Sequence, residues 1–153
     1  MRIIDVLNKE YIIPNLKSND KRGLLEEMAS DIASKVNGID TETLINVLVE
    51  REKLGSTGIG YGVAIPHCKI KGMNHIIVSF GRSIKGVDFQ SLDGKASHLF
   101  FLIIAPEDST ASHLKILARI SRLLHDASFR KKLMDASTPD DIYKIILEED
   151  KKV

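Results

Sequence analysis

Residues 51–67 read REKLGSTGIGYGVAIPH and hold the strongest pattern in the chain. A helical stretch precedes the glycines, four glycines fall within residues 55–62, and a β-like segment follows at residues 63–65. The P-loop nucleotide motif is absent, because Gly60 is followed by Tyr61 where that motif requires lysine. A dinucleotide fingerprint needs a strand before its glycines and a helix after them, which is the reverse order. We therefore predict a loop that carries neither nucleotide-binding motif.

A glycine-rich loop can still bind an anion through successive backbone N–H groups. In this loop Ser56 and Thr57 add hydroxyl donors beside Gly58 and Gly60, so these four residues are candidate phosphate ligands. The alternative is an ordinary tight connection in which the glycines serve only the backbone turn. The residues by themselves leave both interpretations open.

Three residues near this loop have side chains suited to reactive chemistry. His67 directly follows Pro66, whose restricted φ fixes how the chain leaves the loop. Its imidazole can be a neutral nucleophile near pH 7 and can form a covalent intermediate. His113 falls near the start of a predicted helix, where an anion is favoured over an imidazolium. Arg51 lies in the last turn of the preceding helix, where a cation is ordinarily favourable.

The rest of the chain predicts an α/β fold. The unbroken apolar run of residues 99–105 predicts a central strand covered on both faces. Residues 11–13, just before Pro14, predict an edge strand. A further strand is predicted over residues 76–84, and helices are predicted over 24–36, 41–54 and 129–134. Asp40 is the predicted cap of the helix over 41–54. Another helix has the cap candidates Ser109, Thr110 and Ser112, and the last helix begins at Thr138-Pro139. No internal repeat or linker is visible, so residues 1–153 are predicted to form a single domain.

Composition narrows the range of partners. Of the 153 residues, 43% are hydrophobic and 28% are charged, which is typical of a globular domain with its own core. The 22 basic and 21 acidic residues nearly cancel, so the overall charge favours neither nucleic acid nor an anionic membrane. With one cysteine, no signal peptide and no run long enough to span a bilayer, we expect a cytoplasmic protein.

The same segment, residues 51–67, resembles the signature of the fructose/mannitol-type enzyme IIA of the bacterial phosphoenolpyruvate-dependent phosphotransferase system, a group that includes the nitrogen-regulatory IIA protein. Two later stretches also resemble the family in order and spacing: Asp93-Gly94-Lys95, and His113-Leu114-Lys115 with Leu117-Ala118. The resemblance covers nearly the whole chain.

This resemblance implies a function and a fold. His67 would be the phosphohistidine, accepting a phosphoryl group from the histidine carrier HPr or its nitrogen-branch relative and passing it to a IIB domain or a regulatory target. His113 would be the second histidine of the active site and Arg51 its cation. The family fold is a mixed sheet of about five strands flanked by helices on both faces. No metal or other cofactor is implied.

The sequence leaves more than one branch of the family possible for this chain. Mannitol-type members tend to carry a glutamate shortly before the histidine, whereas this chain has Tyr61, which argues against a mannitol-specific role. The leading hypothesis is the nitrogen-regulatory branch, since no IIB or IIC sequence follows. The alternatives are the IIA component of fructose uptake and an interaction protein that is never phosphorylated. Cys68 either lies exposed beside the site or faces the core on the opposite side of its strand.

Overall fold

A computed structural model describes residues 1–152. These residues form a mixed α/β fold with six strands and five α-helices, after a short 3-10 helix at Ile3–Asp5. The strands are β1 (Leu7–Ile13), β2 (Gly58–Gly60), β3 (Val63–Ala64), β4 (His67–Ile70), β5 (Ile77–Val87) and β6 (Ser97–Pro106). The helices are α1 (Lys21–Lys35), α2 (Thr41–Lys53), α3 (Thr110–Leu124), α4 (Ala127–Asp135) and α5 (Pro139–Lys151).

The glycine-dense stretch is a short hairpin, and the prediction of a loop there was wrong. Strands β2 and β3 pair in antiparallel fashion around a two-residue connection. Both connecting residues, Tyr61 (φ 59°) and Gly62 (φ 76°), have positive φ, as a tight turn that matches strand twist requires. Strand β3 lies within the segment predicted to be β-like, whereas β2 was missed because glycine has low strand propensity.

Strand β6 lies at the centre of the sheet, as its apolar run predicted. The strand order is β1-β5-β6-β3-β2, and β4 also pairs with β6. Strand β1 forms one edge, in agreement with the prediction from residues 11–13. Strands β3 and β4 both run parallel to β6 along the same side, with Ile65 and Pro66 between them. The chain therefore breaks its ladder immediately before His67.

Helices cover both faces of the sheet, which confirms the predicted architecture. Alternate residues of β6 point into two separate cores. Phe100 belongs to one core, together with Leu24 of α1 and Leu44 of α2. Phe101 belongs to the other, together with Ile120 of α3 and Ile142 of α5. The edge that carries β4 thus has α2 on one side and α3 on the other.

Two helix starts follow the predicted caps: the side chains of Asp40 and Thr138 accept backbone N–H groups at the starts of α2 and α5. Asp20 caps α1 in the same way. At α3, Ser109 occupies the cap position, but its hydroxyl donates to the carbonyl of Pro106 at 2.8 Å. The first turn of α3, which carries His113, therefore begins without a side-chain cap.

Arg82 is a buried cation on β5 that the sequence analysis did not single out. Its Nε donates to the carbonyl of Pro14 at 3.0 Å. Its Nη1 donates to the carbonyls of Leu133, Met134 and Ala136 at the end of α4. Burial lowers the pKa of the guanidinium. Arg82 therefore satisfies the last carbonyls of α4 and fixes this helix to the sheet.

Candidate functional site

His67 is the first residue of β4 and is partly buried. Its Nδ1 lies 2.8 Å from the carbonyl oxygen of Ile65. Because a carbonyl only accepts hydrogen bonds, Nδ1 carries the ring proton and Nε2 keeps its lone pair. Burial is the main cause that lowers the pKa of His67, and the charge of Arg51 lowers it further. The hydrogen bond to the carbonyl of Ile65 and the charge of Glu52 act in the opposite direction and raise it. The neutral ring with a free Nε2 is thus the form that its surroundings favour.

His113 lies in the first turn of α3 and is 95% buried, with an exposed fraction of 5%. Its ring is nearly perpendicular to that of His67 (89°), with the two centroids 5.3 Å apart. Burial, followed by the charges of His67 and Lys69, lowers the pKa of His113 to about 4. Its Nδ1 is buried without a hydrogen-bond partner. Placing the single proton on Nε2 avoids a buried N–H without an acceptor, so His113 is a neutral Nε2–H donor.

Arg51 completes the group from the last turn of α2. Its Nη1 donates to the carbonyl of Gly55 at 2.9 Å, which holds the side chain over the start of the hairpin. Arg51, His67 and His113 line one pocket of about 490 Å³. The structure therefore brings together the three residues that the sequence analysis proposed as catalytic, although they belong to separate elements.

The four predicted phosphate ligands do not line this pocket. The hydroxyl of Ser56 donates to the carbonyl of Phe89 at 2.8 Å, and the hydroxyl of Thr57 donates to Glu52. The backbone N–H of Gly58 donates to Ser56 Oγ. A Cβ on Gly58 would lie 2.4 Å from Ser91 Oγ, which explains that glycine by packing. These contacts give the hairpin residues a structural role, and phosphate binding by Ser56, Thr57, Gly58 and Gly60 stays a prediction.

Lys69 lines the same pocket and was missed by the sequence analysis. It follows His67 by two positions on β4, so both side chains leave the strand on the same face. Its Nζ donates to Thr110 Oγ1 at 2.6 Å, at the start of α3. The strand alternation after His67 was the signal that would have identified it.

Cys68 faces the opposite side of β4 from His67. It is 5% exposed and belongs to the core beneath α1 and α2. Burial raises the pKa of the thiol to about 12. The structure thus favours a core cysteine, although Cys68 is also among the residues that line the pocket of His67. A covered thiol with a raised pKa is poorly reactive.

His113 should make stability depend on pH between about 4 and 6.5. In this window the unfolded chain protonates the histidine while the native protein does not, so the free energy of unfolding falls as the pH falls. We expect His113 to account for a loss of about 2 kcal/mol across the window. Urea unfolding of the native protein and of His113→Gln at both limits measures the difference. The exposed His125→Gln is the control, and equal slopes for the native protein and His113→Gln would contradict the prediction.

Residues 5–149 match the family described as the phosphoenolpyruvate-dependent sugar phosphotransferase system, EIIA 2. The chain belongs to this family. Within residues 1–152, no group of three histidine, cysteine or carboxylate side chains is arranged to hold a metal ion. No helix in the same range is long and apolar enough to cross a membrane.

The relatives of this chain include nitrogen regulatory proteins and fructose-specific components of the phosphotransferase system. A nitrogen regulatory protein of Bradyrhizobium diazoefficiens is 43% identical over 146 residues, which cover 95% of each chain. A fructose-specific EIIABC component of Bacillus subtilis is 40% identical over 153 residues, which cover 99% of this chain but 24% of that protein. The crystal structure of the nitrogen regulatory protein IIA-Ntr from Neisseria meningitidis superimposes with a TM-score of 0.87 at 31% identity, covering 93% of this chain and 97% of that one.

Proposed function

We propose that this protein is a phosphohistidine carrier of the phosphotransferase system. Nε2 of His67 attacks the phosphorus of a phosphohistidine on an HPr-type donor. The bond between phosphorus and the donor ring nitrogen breaks, the donor ring keeps the electron pair, and a bond from phosphorus to Nε2 forms. The observation that carries this proposal is the hydrogen bond from Nδ1 to Ile65, because it leaves Nε2 unprotonated at the pocket.

The pocket has residues that can stabilise the negative charge of the transferred phosphoryl group. Phosphoryl transfer passes through a loose transition state with negative charge spread over three equatorial oxygens. Arg51, His113 and Lys69, which can all donate hydrogen bonds, line the same pocket as His67. Donors fixed in advance stabilise such charge without reorganisation in the transition state. We therefore assign Arg51 and His113 to stabilise the phosphoryl group and His67 to carry it.

No proton has to be removed for this reaction. Burial lowers the pKa of both histidines, so both rings are neutral at pH 7. After transfer, Nδ1–H of His67 still donates to the carbonyl of Ile65. The same kind of bond is broken and formed, so the step needs no further energy source. The phosphoryl group can then pass to a second acceptor.

We assign the protein to the nitrogen-regulatory branch, with a regulatory protein as its downstream target. The nitrogen regulatory relative is 43% identical, and the crystal structure of a protein of that kind superimposes with a TM-score of 0.87. The second candidate function is the IIA component of fructose uptake, which passes the group to a IIB domain; the 40% identity to the fructose relative favours it. Both functions place the IIA domain in the cytoplasm.

A reconstituted transfer reaction tests the proposal. The native protein is incubated with phosphoenolpyruvate, enzyme I and an HPr-type carrier, and intact mass is recorded. We expect the addition of one acid-labile phosphoryl group, with a 31P resonance typical of Nε2 phosphohistidine. An unchanged mass in the presence of phosphorylated carrier would overturn the proposal. Loss of the group to an added fructose-type IIB domain would support the transport function over the regulatory one.

A further inference from the structure

A buried carboxylate lies next to Arg51 and is not used by the proposed transfer. Glu52 is 9% exposed although it occupies the last turn of a helix that ends near the surface. Its Oε1 lies 2.8 Å from Nζ of Lys21, the first residue of α1, in a pair whose two side chains are 5% and 16% exposed. Removing two charges from water costs free energy, so stability alone does not explain this buried pair.

Glu52 is the start of a chain of hydrogen bonds that ends at the His67 ring. Its carboxylate accepts the backbone N–H of Thr57 at 3.0 Å and, through the other oxygen, the hydroxyl of the same residue. The carbonyl of Thr57 accepts the N–H of Ile65 at 3.0 Å. The carbonyl of Ile65 accepts Nδ1–H of His67 at 2.8 Å. Glu52 thus holds Thr57, Thr57 holds Ile65, and Ile65 holds the ring of His67.

We propose that Glu52 is a positioning residue that fixes the ring orientation and the tautomer of His67 through Thr57 and Ile65. The inference rests on the proposed function, because it concerns how the acceptor nitrogen is presented. Glu52 touches neither the ring nor the transferred group. Its role is to hold the carbonyl oxygen of Ile65 beside Nδ1 of His67, so that the ring makes this hydrogen bond only with its proton on Nδ1.

The backbone around His67 explains why such a support is needed. Strand β4 pairs with β6 from His67 onward, but Pro66 has no N–H to continue the ladder towards β3. The carbonyl of Ile65 is therefore held by the hairpin and not by an unbroken strand. A carboxylate with two oxygens can fix both the N–H and the hydroxyl of Thr57 at once. Misplacement of a reacting group by about 1 Å can cost about 10²-fold in rate.

Two substitutions test the proposal by independent routes. Glu52→Gln removes the charge and one of the two acceptor oxygens. Thr57→Val removes only the hydroxyl and keeps the pair between Lys21 and Glu52, so it avoids leaving a buried lysine without its partner. Thr57→Ser, which keeps the hydroxyl, is the conservative rescue. We expect the first two variants to lower kcat for phosphorylation about 10-fold with the KM for the donor carrier unchanged, and Thr57→Ser to recover most of the kcat that Thr57→Val loses.

The tautomer of His67 is the decisive readout. Long-range 15N–1H spectra of the imidazole distinguish Nδ1–H from Nε2–H. We expect the native ring to be almost wholly Nδ1–H, and the Nε2–H form to become populated in Glu52→Gln and Thr57→Val. Glu27→Gln is the matched control, because Glu27 likewise accepts the N–H and hydroxyl of one serine, Ser18, away from the pocket. It should leave both the tautomer and kcat unchanged.

The outcomes separate this inference from the proposed function. Folded Glu52→Gln and Thr57→Val proteins with native tautomer and native kcat would overturn the positioning role while leaving the carrier function intact. A native protein that takes up no phosphoryl group would overturn the carrier function, and the tautomer spectra would still test Glu52. A shift of the tautomer in Glu27→Gln as well would assign the effect to general loosening and would also overturn the role.

Discussion

Replacement of His67 by alanine should abolish phosphorylation of a protein that remains folded. The nucleophilic nitrogen is lost, and the unprotonated Nδ1 of His113, the second histidine lining the pocket, is buried. Loss of a covalent acceptor should lower the labelling rate by more than about 10³-fold. Stability should fall by only about 1 kcal/mol, since one hydrogen bond of a partly buried ring is removed. Intact mass after reaction with the phosphorylated carrier measures the first effect, and urea unfolding measures the second.

His113→Gln is the matched comparison for this experiment. Because His113 is assigned to stabilise the phosphoryl group and not to carry it, the variant should be labelled fully but about 10²-fold more slowly. A label that survives in His67→Ala would contradict the assignment of the acceptor. A complete loss of label in a folded His113→Gln protein would contradict the division of roles.

Arg82→Met should destabilise the protein by about 3 kcal/mol without changing the residues of the pocket. The guanidinium donates to four carbonyls, three of them at the end of α4, and its removal leaves one buried and three partly buried oxygens without this donor. Methionine retains much of the apolar volume, so the loss reports mainly on the hydrogen bonds. The midpoint and slope of urea unfolding give the change in free energy.

Lys85→Met on the same strand is the control for Arg82→Met. Lys85 is exposed, so its replacement should change stability by no more than about 0.5 kcal/mol. Arg82→Lys should be intermediate, because an ammonium cannot reach all four carbonyls. A loss below about 1 kcal/mol in Arg82→Met would contradict the proposed anchoring of α4.

The parts of the fold that depend on local signals were predictable. Asp40 and Thr138 mark helix starts because their side chains bond to backbone groups three residues later. Strand β6 was evident from its apolar run, because a strand covered on both faces needs no polar alternation. Ser109 was a predicted cap of α3 and occupies the cap position, but the local sequence did not indicate that its hydroxyl would donate to the carbonyl of Pro106 instead.

The features that depend on distant partners were not predictable from the residues alone. Glu52 in the last turn of a helix gives no sign of burial, because its cover comes from Lys21 of another helix and from Thr57 of the hairpin. The proximity of His67 and His113 follows from where β4 and α3 meet, which no periodicity encodes. It was expected only through the resemblance of the sequence to a known family.

The burial of Cys68 makes the protein a ready background for fluorescence labelling. Its single native thiol is covered, so a cysteine introduced on the surface becomes the group that a maleimide dye reaches first. Glu50 is exposed and borders the pocket of His67. Under the proposed function the donor carrier would dock at this pocket, so the emission of a dye at Glu50→Cys would follow arrival and departure of that partner in real time.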